Sequence, residues 1–163
     1  MKRLKILNPN DDFWSLKLLP DKYIHAYSPE LMELKIDFTL LDLLKSRNLD
    51  ISECEKLFND IMEIMEGVEN NGYSIAYFNL KDIVVIDNSF YFVNDKKLYK
   101  IDKDDNIVVK RHFNTKLKFL PKEMSQERLS LPMVISAESY KYSLSLLCLF
   151  CMFKNYDIEK DLR

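Results

Sequence analysis

Glycine is almost absent from this sequence of 163 residues, in which it occurs only as Gly67 and Gly72. Loops that wrap around phosphate groups depend on glycine, because its backbone can approach an anion closely and adopt conformations that other residues resist. Two glycines with no third nearby cannot form such a loop. The composition therefore argues against a glycine-rich phosphate-binding loop.

Cysteine is also scarce, and the three cysteines are Cys54, Cys148 and Cys151. An odd number without a regular framework argues against a disulfide-stapled secreted domain. Cys148 and Cys151 have the C-x-x-C spacing that zinc and redox sites also use. They lie in the apolar run at residues 146–153, with no second cysteine or histidine pair beside them. The pattern therefore favours two core cysteines over a metal or redox site.

Neither sign of charge dominates, since 24 basic and 26 acidic side chains give a formal net charge of -2. Nucleic-acid-binding domains usually have a clear basic excess, so this composition argues against that function. The longest apolar stretch, residues 144–153, is far shorter than the roughly 20 residues that cross a bilayer. The short basic and apolar start gives way at once to polar residues, which does not fit a signal peptide. We expect an intracellular protein without a membrane span, bound metal or cofactor.

The hydrophobic content of 47% is enough for a single domain with a real core. Residues 1–37 hold prolines and short apolar runs, which predict turns and short strands. Residues 39–47 predict a short helix. Ser52 and Glu55 have the spacing of a capping box, and the apolar residues that follow recur at helical spacing. We therefore predict a helix of about five turns from Ser52, ended by Gly72.

After this helix the pattern changes to short β-branched and aromatic runs. Residues 83–86 and 90–93 predict a β-hairpin with a turn at residues 87–89. A long loop is expected next, and then a last helix over residues 139–153. Because that helix is apolar on nearly every side, we expect it to be buried.

This order of elements resembles the C-terminal lobe (C-lobe) of the eukaryotic protein kinase fold. Met-Glu-Leu at residues 32–34 and the apolar segment 40–44 resemble the kinase hinge and the short helix after it. The long helix with its Asn-Asn-Gly-Tyr end resembles the helix before the catalytic loop. The other similar segments are Tyr-Phe-Asn-Leu-Lys-Asp-Ile-Val-Val at residues 77–85 for the catalytic loop, Phe-Leu-Pro-Lys-Glu at 119–123 for the Ala-Pro-Glu region, and Tyr-Lys-Tyr-Ser-Leu-Ser at 140–145 for the start of the central helix.

The resemblance implies an α+β, mainly helical fold, like a kinase C-lobe with a small β-hairpin and a reduced or absent N-lobe. We expect one truncated domain over residues 1–163. Residues 1–37 would be a residual N-lobe and hinge, and residues 38–163 would be C-lobe-like. The last C-lobe helices are also expected to be missing.

The catalytic positions depart from the kinase pattern. Asn79 stands where kinases carry the catalytic Asp, and a neutral amide cannot accept a proton as a carboxylate does. Lys81 stands at the loop lysine, although a solvated loop residue is the simpler interpretation. The loop is also roughly two residues shorter than the kinase motif, which removes the second magnesium ligand. Asn94 replaces the metal-binding Asp, while Asp82 and Asp95 lie close to the motifs but out of register.

Four further positions match structural rather than catalytic parts of the kinase pattern. Pro121 and Glu123 correspond to the Ala-Pro-Glu region, where Glu123 would make an ion pair if its partner were present. Tyr142 and Ser143 correspond to the start of the central helix. These matches predict that the scaffold is retained although the chemistry is lost.

The resemblance therefore implies a pseudokinase that acts as a protein-binding or structural module. Its composition is similar to that of kinase-like proteins of large DNA viruses, which implies a virion or capsid-associated component, in the host cytoplasm or the particle. We expect another protein, or a second copy, to cover apolar surface left by the missing parts. The alternative is a divergent ATP-dependent Ser/Thr protein kinase or nucleotide-binding protein that uses Asp82 or Asp95 in shifted roles.

A third function would be nucleic-acid binding through a local basic patch, which the acidic overall balance opposes. The same patch could bind another anion or a partner, although a solvated loop explains it as well. The residues of this patch are Lys110, Arg111, His112, Lys116 and Lys118.

Overall fold

The structure, a computed structural model, describes residues 1–125 and 130–153. About 38% of these residues are helical and 26% lie in strands. The prediction of a mainly helical fold is therefore wrong, because short strands form four small antiparallel sheets. Each strand is only two to six residues long and contributes little to a sequence pattern. The two long helices dominate that pattern instead.

The N-terminal part of the chain forms a three-stranded antiparallel sheet. Its elements are β1 (Lys2–Leu7), helix α1 (Asp11–Trp14), β2 (Ile24–Tyr27) and β3 (Leu31–Ile36). The strand order is β1-β3-β2, so β3 is central. Alternate residues of β3 point inward, and Met32, Leu34 and Ile36 are buried. The predicted turns and short strands before residue 37 are confirmed.

Two helices follow the sheet, and both begin with a capping box. Helix α2 (Leu40–Ser46) lies where it was predicted. Helix α3 (Ile51–Asn70) starts earlier than predicted, because its capping box is formed by Asp50 and Glu53. Asp50 accepts a hydrogen bond from the Glu53 amide at 2.8 Å, and Glu53 accepts one from the Asp50 amide at 3.2 Å. The prediction from Ser52 was two residues too late.

Backbone contacts fix both ends of α3. Leu49 is buried, and its amide donates to the Cys151 carbonyl at 2.9 Å, which positions the chain directly before Asp50. This contact is tertiary, so the spacing of Ser52 and Glu55 alone could not show that the helix begins earlier. At the other end Gly72 has φ +85° and donates to the Glu69 carbonyl at 2.9 Å. The predicted glycine stop is confirmed.

The remaining strands pair in three small sheets. Strands β6 and β7 form the predicted hairpin, but its turn has two residues, Asp87 and Asn88, because Ser89 already pairs with Ile86. Both turn residues have positive φ, as a tight hairpin requires. Strand β10 falls in the segment predicted as a long loop. The strands are β4 (Phe38–Thr39), β5 (Tyr73–Ser74), β6 (Ile83–Ile86), β7 (Ser89–Phe92), β8 (Tyr99–Lys100), β9 (Asn106–Val109) and β10 (Met133–Ser136).

The last helix, α4 (Tyr140–Met152), packs against α3 in the main core. It is not buried on every side as predicted, since Tyr142 and Leu149 are each 43% exposed. Phe153, the residue that follows it, is 52% exposed. Among residues 1–125 and 130–153, none of the helices combines the length and hydrophobicity that a bilayer crossing requires.

Candidate functional site

The segment between β5 and β6 places Asn79 and Asp82 beside each other. Residues Leu80–Asp82 form a single 3-10 turn, in which the Asp82 amide donates to the Asn79 carbonyl at 3.0 Å. In return the Asp82 Oδ2 accepts from the Asn79 amide at 2.9 Å. These reciprocal bonds hold the Asp82 carboxylate inward, where the residue is only 4% exposed. Lys81, in the same turn, is exposed, as a solvated loop residue would be.

The turn after β7 brings Asn94 to the same place. Asn94 Oδ1 accepts from the Lys96 amide at 3.2 Å and so begins the 3-10 turn Asp95–Lys97. Its Nδ2 donates to Asp82 Oδ1 at 2.8 Å. The structure therefore brings together Asn79, Asp82 and Asn94, three residues noted from sequence as replacing or lying near kinase catalytic positions.

A lysine that the sequence did not indicate completes the cluster. Lys97 Nζ donates to Asp82 Oδ2 at 2.5 Å and lies 3.9 Å from the centre of the Tyr77 ring. With the amide of Asn79 oriented so that its oxygen faces the lysine, Asn79 also accepts from Lys97 Nζ at 3.2 Å. Burial lowers the pKa of Lys97, and the Asp82 carboxylate opposes this shift only in part. No local motif marks Lys97, because its partner lies 15 residues earlier in the chain.

Asp95 lies outside this cluster and binds the N-terminal segment through hydrogen bonds. The residue is 2% exposed, and its Oδ2 accepts from the Asn10 amide at 2.6 Å and from Trp14 Nε1 at 2.7 Å. Its Oδ1 lies 3.3 Å from Lys96 Nζ. Both carboxylate oxygens therefore have protein partners, which accounts for the burial of this side chain.

The four positions matched to structural kinase motifs have different surroundings. Ser143 is fully buried, and its hydroxyl accepts from the Phe78 amide at 2.8 Å, which links α4 to the segment before Asn79. Pro121 is buried at the start of a 3-10 turn, whereas Glu123 in that turn is exposed. Within residues 1–125 and 130–153, Glu123 makes no ion pair. Tyr142 faces solvent.

The N-terminal sheet packs directly onto the hairpin beside the cluster. Met32 and Leu34 of β3 belong to the same apolar cluster as Val84 and Ile86 of β6. All four side chains are at most 1% exposed. At these residues the sheet and the hairpin meet without a cleft.

The basic patch predicted from sequence divides into separate groups. Arg111 donates to the carbonyls of Lys96 and Leu98, and its guanidinium lies 4.4 Å from the centre of the Tyr99 ring. Arg111 and His112 therefore lie near Asn94 and Lys97, beside the same pocket. Lys118 instead lies over the Phe150 ring of α4, 4.6 Å from its centre.

The three cysteines lie between α3 and α4 as free thiols, and core packing was predicted for Cys148 and Cys151. Cys54 and Cys151 are buried, and Cys148 is half-buried. Burial raises the pKa of Cys54 to about 11 and that of Cys148 to about 12, and it raises the pKa of Cys151 as well. Their thiolate populations at neutral pH are therefore very small.

We expect the native protein to resist iodoacetamide at pH 8, because the thiolate is the reacting species. All three cysteines should be alkylated once the chain is unfolded in guanidinium. Intact-mass spectrometry of both samples measures this difference. Rapid labelling of the native protein, or zinc released in stoichiometric amount on unfolding, would contradict the core assignment.

No known family model matches the chain, and no curated protein matches it. The fold is similar to two solved kinase structures. The Cydia pomonella granulovirus kinase PK-1 superposes with a TM-score of 0.64 and 13% identity, over 98% of this chain and 62% of that one. The twitchin kinase fragment of C. elegans, which is described as an autoregulated protein kinase with immunoglobulin domains, gives a TM-score of 0.59 and 9% identity, over 91% of this chain and 36% of that one.

The chain thus has a protein kinase-like fold, as its motif order predicted, and it spans less than two thirds of the length of either neighbour. The superposition on the granulovirus kinase covers nearly all of the chain, so it includes the N-terminal sheet. The predicted boundary after residue 37 falls between β3 and β4.

Proposed function

We propose that this chain is a catalytically inactive kinase-like protein that acts by binding another protein. The observation that supports the proposal is the state of Asp82, the carboxylate nearest to Asn79. Its two oxygens accept hydrogen bonds from Asn94, from the Asn79 backbone and from Lys97. The ammonium group of Lys97 already occupies a cation position on Oδ2 of this carboxylate.

Phosphoryl transfer by a kinase requires carboxylate and amide ligands for magnesium and a carboxylate that orients the substrate hydroxyl. Asn79 supplies only a neutral amide at the position of that second carboxylate. A magnesium ion that bound the same oxygen of Asp82 would have to displace Lys97 or lie beside its positive charge. The arrangement favours a stable internal ion pair over a metal site.

The packing above the cluster supports the same proposal. In protein kinases a glycine-rich loop covers the phosphates of ATP. Here both glycines lie after residue 66, outside the N-terminal sheet. Met32 and Leu34 of that sheet pack against Val84 with no exposed surface. A nucleotide between sheet and hairpin would have to separate these side chains and expose apolar area to water, which is unfavourable.

A binding role is supported by the apolar surface beside α4. A groove of about 340 Å³ runs between α3 and α4, lined by residues that include Ile51, Phe58 and Leu149. Ile51 is 65% exposed and Leu149 is 43% exposed. Large exposed apolar side chains grouped at one groove are typical of protein contact surfaces. Either another protein or a second copy would bury them.

We expect saturating ATP with magnesium to leave the thermal unfolding of this protein unchanged. A nucleotide that binds the native state at 100 times its Kd would raise its stability by about 2.7 kcal/mol, which a melting curve detects readily.

We also expect the Asn79→Asp variant to transfer no labelled phosphate to casein, because the metal ligands are missing as well. The wild-type chain is the control for that variant. A melting shift with ATP, or phosphate transfer by either chain, would favour the alternative of a divergent Ser/Thr kinase or nucleotide-binding protein.

The virion or capsid association implied by composition stays a prediction. The similarity to a granulovirus kinase supports a viral setting for the chain. Detection of the protein in purified particles after removal of their outer layer would test it.

A further inference from the structure

Two pockets lie side by side along the segment that follows β9. The first has a volume of about 230 Å³ and is lined on its polar side by Lys96, Lys97, Arg111 and His112. The second has a volume of about 560 Å³ and includes Lys110 together with His112. His112 and Phe113 line both pockets, so the two lie next to each other. We call this surface the basic groove and define it by Lys96, Lys97, Lys110, Arg111 and His112.

The charge of the basic groove is of one sign, although the whole chain has a net charge of -2. None of the described residues that line the two pockets is acidic. Two carboxylates lie behind it: Asp82 is paired with Lys97, and Asp95 with Lys96. Lys110 and Arg111 have no ion-pair partner within residues 1–125 and 130–153. The groove therefore keeps an uncompensated positive charge that favours an anionic ligand.

Arg111 is held in place for such a ligand. Two of its nitrogens donate to the carbonyls of Lys96 and Leu98, and the guanidinium stacks on Tyr99. A guanidinium has five N–H donors, so several remain for a bound oxygen anion. Because the side chain is already ordered, binding costs less conformational entropy than it would for a free surface arginine.

The walls of the groove are aromatic. Tyr77 and Phe113 lie with ring centres 6.3 Å apart, and Tyr99 lies under Arg111. All three rings line the first pocket. A ligand that combines an anion with a flat ring would satisfy both features of the site, since rings pack well against other aromatic side chains.

We propose that the basic groove binds a phosphotyrosine side chain of a protein partner. The phosphate would meet Arg111 in the first pocket, where the ring would lie beside Tyr77, Tyr99 and Phe113. Lys110 in the neighbouring pocket would add positive charge nearby. This inference rests on the proposed function, because both require that the chain bind another protein. A nucleic acid is less favoured, because the net charge of the chain is negative.

Isothermal titration of the full chain with phosphotyrosine, phosphoserine and inorganic phosphate tests the proposal. We expect phosphotyrosine to bind at least about tenfold more tightly than inorganic phosphate, a difference of about 1.4 kcal/mol. Arg111→Gln should weaken phosphotyrosine binding about tenfold or more, and Arg111→Lys should restore only part of it, because lysine lacks the planar fork. Lys56→Gln, at an exposed position on α3, is the control and should bind as the wild type does.

Lys110→Gln guards against a folding defect in the Arg111 variants, because Lys110 is exposed and makes no contact that the fold needs. It too should weaken binding while the melting temperature stays unchanged. The proposal is wrong if phosphotyrosine does not bind, if inorganic phosphate binds equally well, or if a 12-base single-stranded RNA binds and phosphotyrosine does not. None of these titrations contains ATP. Phosphate transfer in the kinase assay would therefore contradict only the proposed lack of catalytic activity. A failure of phosphotyrosine to bind would contradict only the proposed function of the basic groove.

Discussion

Replacing Lys97 with Met should lower the free energy of unfolding by about 3–5 kcal/mol, because it leaves the buried Asp82 carboxylate without its cation. Asp82 is 4% exposed, and the Lys97 side chain is 14% exposed, so little water can take the place of the ammonium group. Burial lowers the pKa of Lys97 although Asp82 lies beside it. The intact pair therefore adds little net stability, whereas removal of one partner is costly.

Urea unfolding of three variants separates these two effects. Lys81→Met is the matched control, since Lys81 is exposed in the turn that precedes β6, and its change should stay within about 0.5 kcal/mol. Lys97→Met combined with Asp82→Asn should recover most of the loss, because the amide carries no charge. A Lys97→Met variant as stable as Lys81→Met would mean that this ion pair is not buried.

The position of this ion pair explains why only some residues of the site could be predicted from the sequence. Asn79 and Asn94 could be identified because each stands in a segment that resembles a kinase motif. Lys97 could not, since its contact with Asp82 depends on how the turn after β7 folds back toward the turn before β6. A lysine two residues after Asn94–Asp95 has no local signature, and only the tertiary contact distinguishes it from a solvated residue.

The elements of the fold divide in the same way. Helix α3 was predictable because its apolar residues repeat over 20 positions. The start of that helix was not, since it depends on a tertiary contact of Leu49 with α4 that positions the chain before Asp50. Strand β10 was missed because its four residues pair with β9, some 25 positions earlier in the chain. Short strands whose partners are distant in sequence account for the error in fold class.

The long helix α4 shows what the hydrophobic pattern alone could not decide. A helix that is apolar on nearly every side was expected to be buried throughout. Leu147 is fully buried, but Leu149 is 43% exposed at the groove between α3 and α4. Sequence indicates which residues are apolar, whereas the number of packed neighbours decides which of them reach water.

Truncation of Leu147 to Ala should lower the free energy of unfolding by about 2–5 kcal/mol, because it opens a cavity in the main core. Leu147 has no exposed surface and belongs to the cluster that joins α3 to α4. Phe58 on α3 is only partly buried, so Phe58→Ala should cost less than a change at the fully buried Leu57.

Leu149→Ala is the matched control, since it removes the same atoms from the same helix two residues away. At 43% exposure much of the Leu149 side chain is already in water, and we expect a loss of no more than about 1 kcal/mol. Urea unfolding at a protein concentration low enough to keep the chain monomeric measures both variants. Equal losses at Leu147 and Leu149 would contradict an open groove in the monomer, because only a covered Leu149 would behave like a core residue. A loss confined to Leu147 would show that the groove is open in the monomer and available to a partner.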